Sequence, residues 1–237
     1  SQFSPAVQQV LPALQHATRL LAELREMDEI VTAGRQAPKG LLRVNAPLGF
    51  GRLVIAPLVS EFTFTYPEVE VVLEVTDRPI DLVDKGFDLA VRFGEPSDEG
   101  HIAKRIMSNR RFICASPVYL DKHGTPESLE DLARHRCIIH RQNDDAYGIW
   151  RFIMNGRTEA IKIHGALSSN DGDIVLNWAL AGQGIVIRSE WDVAKYLDSG
   201  RLRQILPEFS LPSADLFAYY PSTRNLAARS RAFINHL

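Results

Sequence analysis

From Leu41 onward the sequence alternates between two hydrophobic periods, and this alternation constrains the fold more than any other feature. LLRVNA (41–46) reads as a short buried strand, and FGRLVIAPLVSEFTFTYP (50–67) as an amphipathic helix stopped by Pro67. VEVVLEV (69–75) is a second strand, PIDLVDKG (79–86) a short helix, and DLAVRF (88–93) a third strand. Strand, helix and strand in repetition imply a parallel sheet with helices packed against it. IAKRI (102–106) and RFICA (111–115) read as two further strands, followed by short helices in SPVYLDKHG (116–124) and SLEDLARH (128–135).

A second alternating unit follows. CIIH (137–140) is a strand, and WRFIM (150–154) and EAIKIHG (159–165) flank Asn155-Gly156, a strong two-residue hairpin signal. Residues 170–181 read as a helix with Asn170 as its cap and Asp173 in its first turn. GIVIR (184–188) is a strand and SEWDVAKYLDSG (189–200) a helix, and RLRQIL (201–206) follows. LFAYYP (216–221) and RNLAARSRAFINHL (224–237) close the chain as strand and helix. Two α/β units in tandem predict two lobes, with ligands expected in the crevice beyond the carboxyl ends of the strands.

The first 40 residues are of another kind. Ser4-Pro5 can open a helix and Pro12 would kink or restart it. Val10, Leu14, Ala17, Leu21, Leu24 and Val31 then follow a 4-3 spacing, interrupted by Asp28. This narrow seam suits a helix that pairs with another helix, and RQAPKG after Gly34 reads as a linker. A dimer or higher oligomer is expected, and Leu21→Asp should weaken it, because a charge buried in a seam is costly unless paired. Light scattering at micromolar concentration checks this; a monomeric wild type would remove the seam as an interface.

Composition bounds the function. A net charge of −2 over 237 residues argues against a nucleic-acid-binding face, which needs a basic surface. No apolar run reads as a membrane span of ~18–20 residues, so no membrane partner is expected. Cys114 and Cys137 lie in apolar runs without C-x-x-C spacing, which reads as two buried free thiols in a reducing compartment, the cytoplasm.

Enzyme motifs are missing from the sequence. It has no G-x-S-x-G, no P-loop and no H-E-x-x-H, and its seven histidines are scattered. Gly182-Gln183-Gly184 lacks the third glycine of a dinucleotide fingerprint and lies between a helix and a strand, the reverse of the required order. Asp171-Gly172-Asp173 lacks the remaining ligands of a calcium loop. No catalytic residue, metal site or cofactor is expected.

A set of strand ends remains as the candidate binding site. Pro47, Leu48 and Gly49 join the first strand to its helix, Asp77 closes the second strand, and Arg92 and Phe93 close the third. In the second unit His140 and Arg141 end a strand, and Asn170 and Asp171 open a helix. Arginine together with a helix N-terminus favours a small anion, and a phenyl ring supplies an apolar wall.

These residues lie within phrases that resemble the effector-binding domain of a LysR-type transcriptional regulator. The phrases are LLRVNAPLGFGRLVIAPLVSEF, YPEVEVVLEVTD, DLVDKGFDLAVRFG, ICASPVYLDKHGTP, DLARHRCI, LSSND and ALAGQGIVIRSEWDVAKYLDSGRL, in the family's order over residues 41–237. The resemblance implies two Rossmann-like subdomains of periplasmic-binding-protein type joined by two crossover strands. Residues 1–40 would then be the linker helix, 41–113 with 215–237 the first subdomain, and 114–214 the second. It also implies a small-molecule effector between the subdomains, a homo-oligomer (dimer or tetramer), and DNA binding through an N-terminal winged helix-turn-helix. That module is expected to precede Ser1, the chain being a fragment or a processed product. Pro47 stands where many members carry a Ser or Thr hydroxyl, so this loop offers an anion no side-chain donor. A free solute-binding protein of the same bilobal fold is the alternative expectation.

Overall fold

The computed structural model describes residues 37–78, 80–94, 100–141, 148–222 and 226–237. The 4-3 seam falls within residues 1–36, outside the described residues. β1 (Gly40–Pro47) leads into α1, which begins as a short turn (Leu48–Phe50), passes through a π-helical stretch (Gly51–Ile55) and continues as regular helix (Ala56–Thr65). β2 (Val69–Thr76), β3 (Leu89–Phe93) and β4 (His101–Met107) follow, then β5 (Arg111–Ala115) and α2 (Pro117–His123). β6 (Ile138–His140), β7 (Ile149–Met154), β8 (Arg157–Lys162), β9 (Leu167–Ser169) and α3 (Gly172–Leu180) come next. β10 (Val186–Ser189), α4 (Glu190–Asp198), β11 (Arg203–Gln204), β12 (Leu216–Pro221) and α5 (Ala228–His236) complete the order.

The first lobe is one sheet of strand order β2-β1-β3-β12-β4. β1 pairs parallel with β2 and β3, as the strand–helix–strand alternation predicts. β12, however, runs antiparallel to β3 and β4, so the sheet is mixed rather than parallel. The cause is connectivity: β4 carries the chain out of the lobe and β12 brings it back. α1 covers one face, where the core gathers Leu42, Val44, Phe50, Ile55, Phe62, Leu89, Val91 and Phe233. Gly51 permits the close approach, since a Cβ there would lie 2.5 Å from Val75 Cγ1. Leu48–Thr65 is long and apolar enough to cross a membrane by length and composition, which the sequence reading did not anticipate. Here it lies against β1, β2 and α5 of its own lobe.

The second lobe is more broken than two α/β units predict. β5 lies between β10 and β11, antiparallel to both, while β6 pairs parallel with β9. The Asn155-Gly156 hairpin forms as expected, both residues at positive φ (52° and 74°) between β7 and β8. Two expected helices shrink. PIDLVDKG gives only hydrogen-bonded turns started by the Asp81 carboxylate on Asp84 N, with Leu82 and Phe87 buried. Residues 130–134 form one stretch of 3-10 helix. Both segments are too short to offset helix nucleation with more than a turn of bonds.

The chain passes between the sheets over residues 108–110, because β4 bonds to β12 and β5 already bonds to β10 and β11. Asn109, 5% exposed, ties the crossings together: its N–H donates to Asp215 Oδ1 (3.0 Å), its amide to Ser189 Oγ (3.1 Å) and Ala214 O (3.0 Å). Cys114 and Cys137 are buried free thiols, and burial pushes each up to about 12. A thiol reagent should therefore leave both unmodified in the native chain at neutral pH, and reductant should not move the unfolding midpoint. A large drop on reduction would reveal a disulfide.

Candidate functional site

β3 alternates as a strand must, so Arg92 and Phe93 leave on opposite faces of the sheet. The two neighbours at this strand end therefore meet different surroundings. Phe93 packs edge-on against Phe50 (ring centroids 5.3 Å) and lies parallel to Trp191 of α4 at 6.2 Å, with Phe50 closing the trio on Trp191 at 5.1 Å. Trp191 belongs to the second lobe, so this aromatic group joins the lobes. Arg92 goes the other way. Its NH2 donates to Asn45 Oδ1, to Thr76 Oγ1 (2.7 Å) and to Arg78 O (3.0 Å). Burial pulls its pKa down to about 10, partly offset by the neighbouring Tyr219 and Asp77 side chains, so the guanidinium stays charged at neutral pH.

Asp77, at the end of β2, accepts a 2.6 Å hydrogen bond from Asn170 Nδ2 across the crevice. That bond is the main reason its carboxyl lies below the ordinary range, with Arg78 and Arg141 adding to the effect. A second bridge pairs Arg52 of α1 with Asp173 of α3. Both partners are well exposed, so it adds ~0–1 kcal/mol. Pro47 precedes α1 without a side-chain cap, Leu48 starts the helix, and a Cβ on Gly49 would stand 4.0 Å from both Asp173 and Trp191.

The opening of α3 differs from expectation. Asp171, not Asn170, is the cap: its Oδ1 accepts from Asp173 N (2.8 Å) and Ile174 N (3.2 Å). Asp171 N itself donates to Ser169 Oγ (3.0 Å). The N–H groups of Asp171, Asp173 and Ile174 are thus occupied within the chain, and the Asn170 amide reaches Asp77. His140 is held internally as well, its Nε2 3.3 Å from Asn170 O and its Nδ1 2.7 Å from Arg188 NH1. Burial and the Arg188 charge push it down to about 3, so it is neutral. Arg141 bonds through its backbone to Ser169 O (2.8 Å) and its side chain is exposed.

Asp77, His140 and Asn170 therefore share one hydrogen-bonded chain, with the Arg92 charge beside Asp77. Phe93 meets the second lobe through Trp191, and Asp171 serves the helix. The sequence reading missed Asn45, Arg52, Arg188 and Trp191. Two carried a signal: Asn45 is a lone amide in the apolar run LLRVNA, and Arg188 ends the apolar run GIVIR with Asp192 four residues on. Among the described residues no group of three or more His, Cys, Asp or Glu side chains is arranged to hold a metal ion.

Two lobes joined by two crossings, with polar strand ends meeting between them, define a bilobal effector-binding domain. The chain belongs to the LysR substrate binding domain family, whose model matches residues 35–237. It is 41% identical over 217 residues to the HTH-type transcriptional activator TtdR of Escherichia coli K12, covering 91% of this chain and 70% of that protein. It is 39% identical over 221 residues to the E. coli K12 transcriptional regulator DmlR, covering 93% and 72% respectively. Among solved structures, the regulatory domain of CrgA from Neisseria meningitidis matches with a TM-score of 0.71 and 30% identity, over 84% of this chain and 97% of that one. The relatives are transcription regulators, so the regulator class stands over the free solute carrier.

Proposed function

We propose that the crevice takes a small anionic effector, a carboxylate or a similar metabolite, and that Arg92 receives its charge. The observation that supports this is the setting of Arg92. Its hydrogen bonds go to uncharged acceptors, which orient the guanidinium without neutralising it, and it stands where the Asp77–Asn170 bridge joins the lobes. A guanidinium can hold a carboxylate through two parallel hydrogen bonds, which lysine cannot reproduce. Asp77 tempers the field and selects for a ligand that also offers it a donor, such as a hydroxyl. The sheet of β1–β4 and β12 forms one wall and β5–β11 with α3 and α4 the other. The whole protein works as a cytoplasmic homo-oligomer that binds DNA through a segment preceding this chain.

The test is a thermal-shift screen of small mono- and dicarboxylates, followed by titration of the hits. Losing a charge-assisted pair costs roughly 1.5–3 kcal/mol, so Arg92→Ala should weaken binding by about one to two decades. Arg92→Lys should recover only part of it. An anionic ligand that protects the wild type and binds both variants unchanged would leave Arg92 as a structural side chain and end the assignment.

A further inference from the structure

The hydrogen bonds that close the crevice continue into the second lobe. Arg188, 7% exposed on β10, donates from Nε to Asp192 Oδ2 at 2.7 Å, and its NH2 reaches the same oxygen. Its NH1 lies 2.7 Å from His140 Nδ1. A guanidinium has only donors, so Nδ1 must accept, and the single imidazole proton sits on Nε2. That N–H faces Asn170 O at 3.3 Å, and the Asn170 amide donates onward to Asp77. Gly172 makes room for this arrangement, since a Cβ there would lie 2.4 Å from Arg188 NH2.

We propose that Arg188 is the positioning residue of the interlobe crevice: by fixing His140 as the Nε2–H tautomer it holds the Asn170 peptide, and through it the amide that bridges to Asp77. The inference rests on the effector site proposed above and concerns its regulation, since Arg188 would govern lobe closure without touching the effector. The groups around the relay are consistent with this role. His140 faces Arg188, Asp171 and the Asn170 carbonyl, and remains neutral through physiological pH. Asp77 faces Asn170, Arg78, Arg141 and Arg92, and Asn170 contributes most to its low pKa.

The experiment reads both ends of the relay by NMR on this chain without any effector. Imidazole nitrogen shifts report the His140 tautomer, and the carboxyl carbon of Asp77 reports its titration. Two independent perturbations are used: Gly172→Ala, which displaces the guanidinium, and Arg188→Met/Asp192→Leu, which replaces the buried ion pair with apolar side chains and keeps the core filled. In the wild type His140 should carry its proton on Nε2 and stay neutral. In each folded variant it should mix tautomers and titrate closer to its ordinary ~6.5, while Asp77 rises toward ~3.9 in the opposite lobe. An Nδ1-protonated His140 in the wild type would overturn the proposal. So would an Asp77 titration that stays put while His140 loosens. Because no effector is present, a carboxylate screen that finds nothing leaves this result standing, and the reverse holds too.

Discussion

Arg188→Met alone is expected to lower the stability of the chain by roughly 3–5 kcal/mol, a fall in Tm of roughly 6–20 °C for a protein of this length. The reason is what the substitution leaves behind. Asp192 is 5% exposed and receives two of the three Arg188 hydrogen bonds, so removing the guanidinium strands a carboxylate in the second lobe's interior. Removing both charges should cost far less. Arg188→Met/Asp192→Leu is expected to recover most of the loss, because apolar side chains of similar size can replace a buried ion pair at little cost or even a gain. Calorimetry on the three proteins decides it. A single substitution costing under ~1 kcal/mol would mean that water reaches the pair and that the site is wetter than its exposure implies.

Phe62→Ala should destabilise the first lobe by about 3–5 kcal/mol. Phe62 is 0% exposed, and its ring meets Tyr66 at 4.8 Å, Phe233 at 5.1 Å and His236 at 5.5 Å. It therefore fastens α5, the last element of the chain, to α1, which follows the first described strand. Truncation leaves a cavity between the two helices that neither can fill without leaving the sheet. Urea unfolding checks the loss, and hydrogen exchange should show the amides of α5 among those most affected. Unchanged protection in α5 would mean that Leu216, Ile234 and the sheet hold that helix without this ring.

Much of the architecture could be read from residues. The switch between a period of two and a period of 3.6 placed β1, α1, β2 and β3, and Asn155-Gly156 placed a hairpin, because both signals are local and set by backbone geometry. The failures had one local and one long-range origin. PIDLVDKG has helical spacing, but Gly86 at φ 68° ends it after a turn, and Leu82 and Phe87 are buried from that turn. The cap of α3 was assigned to Asn170 because Asn and Asp are near-equal caps, and nothing local separates them. What separates them is Asp77, 93 residues earlier in the chain, which takes the Asn170 amide.

By itself, then, the sequence determined the two α/β units, their buried strands, the buried thiols and the strand ends where polar side chains gather. These follow from hydrophobic period and burial, which short segments encode. Tertiary structure alone decided which way each polar side chain points and what it bonds to. Arg92 turns from Phe93 because consecutive strand residues face opposite ways, and it finds Asn45 and Thr76 only because β1 and β2 pair in register. Arg188 meets His140, and Asn170 meets Asp77, only once the strands are docked and the lobes closed. Hydrogen bonds need atoms within about 3 Å at fitting angles, a condition between distant segments that no periodicity along the chain can express.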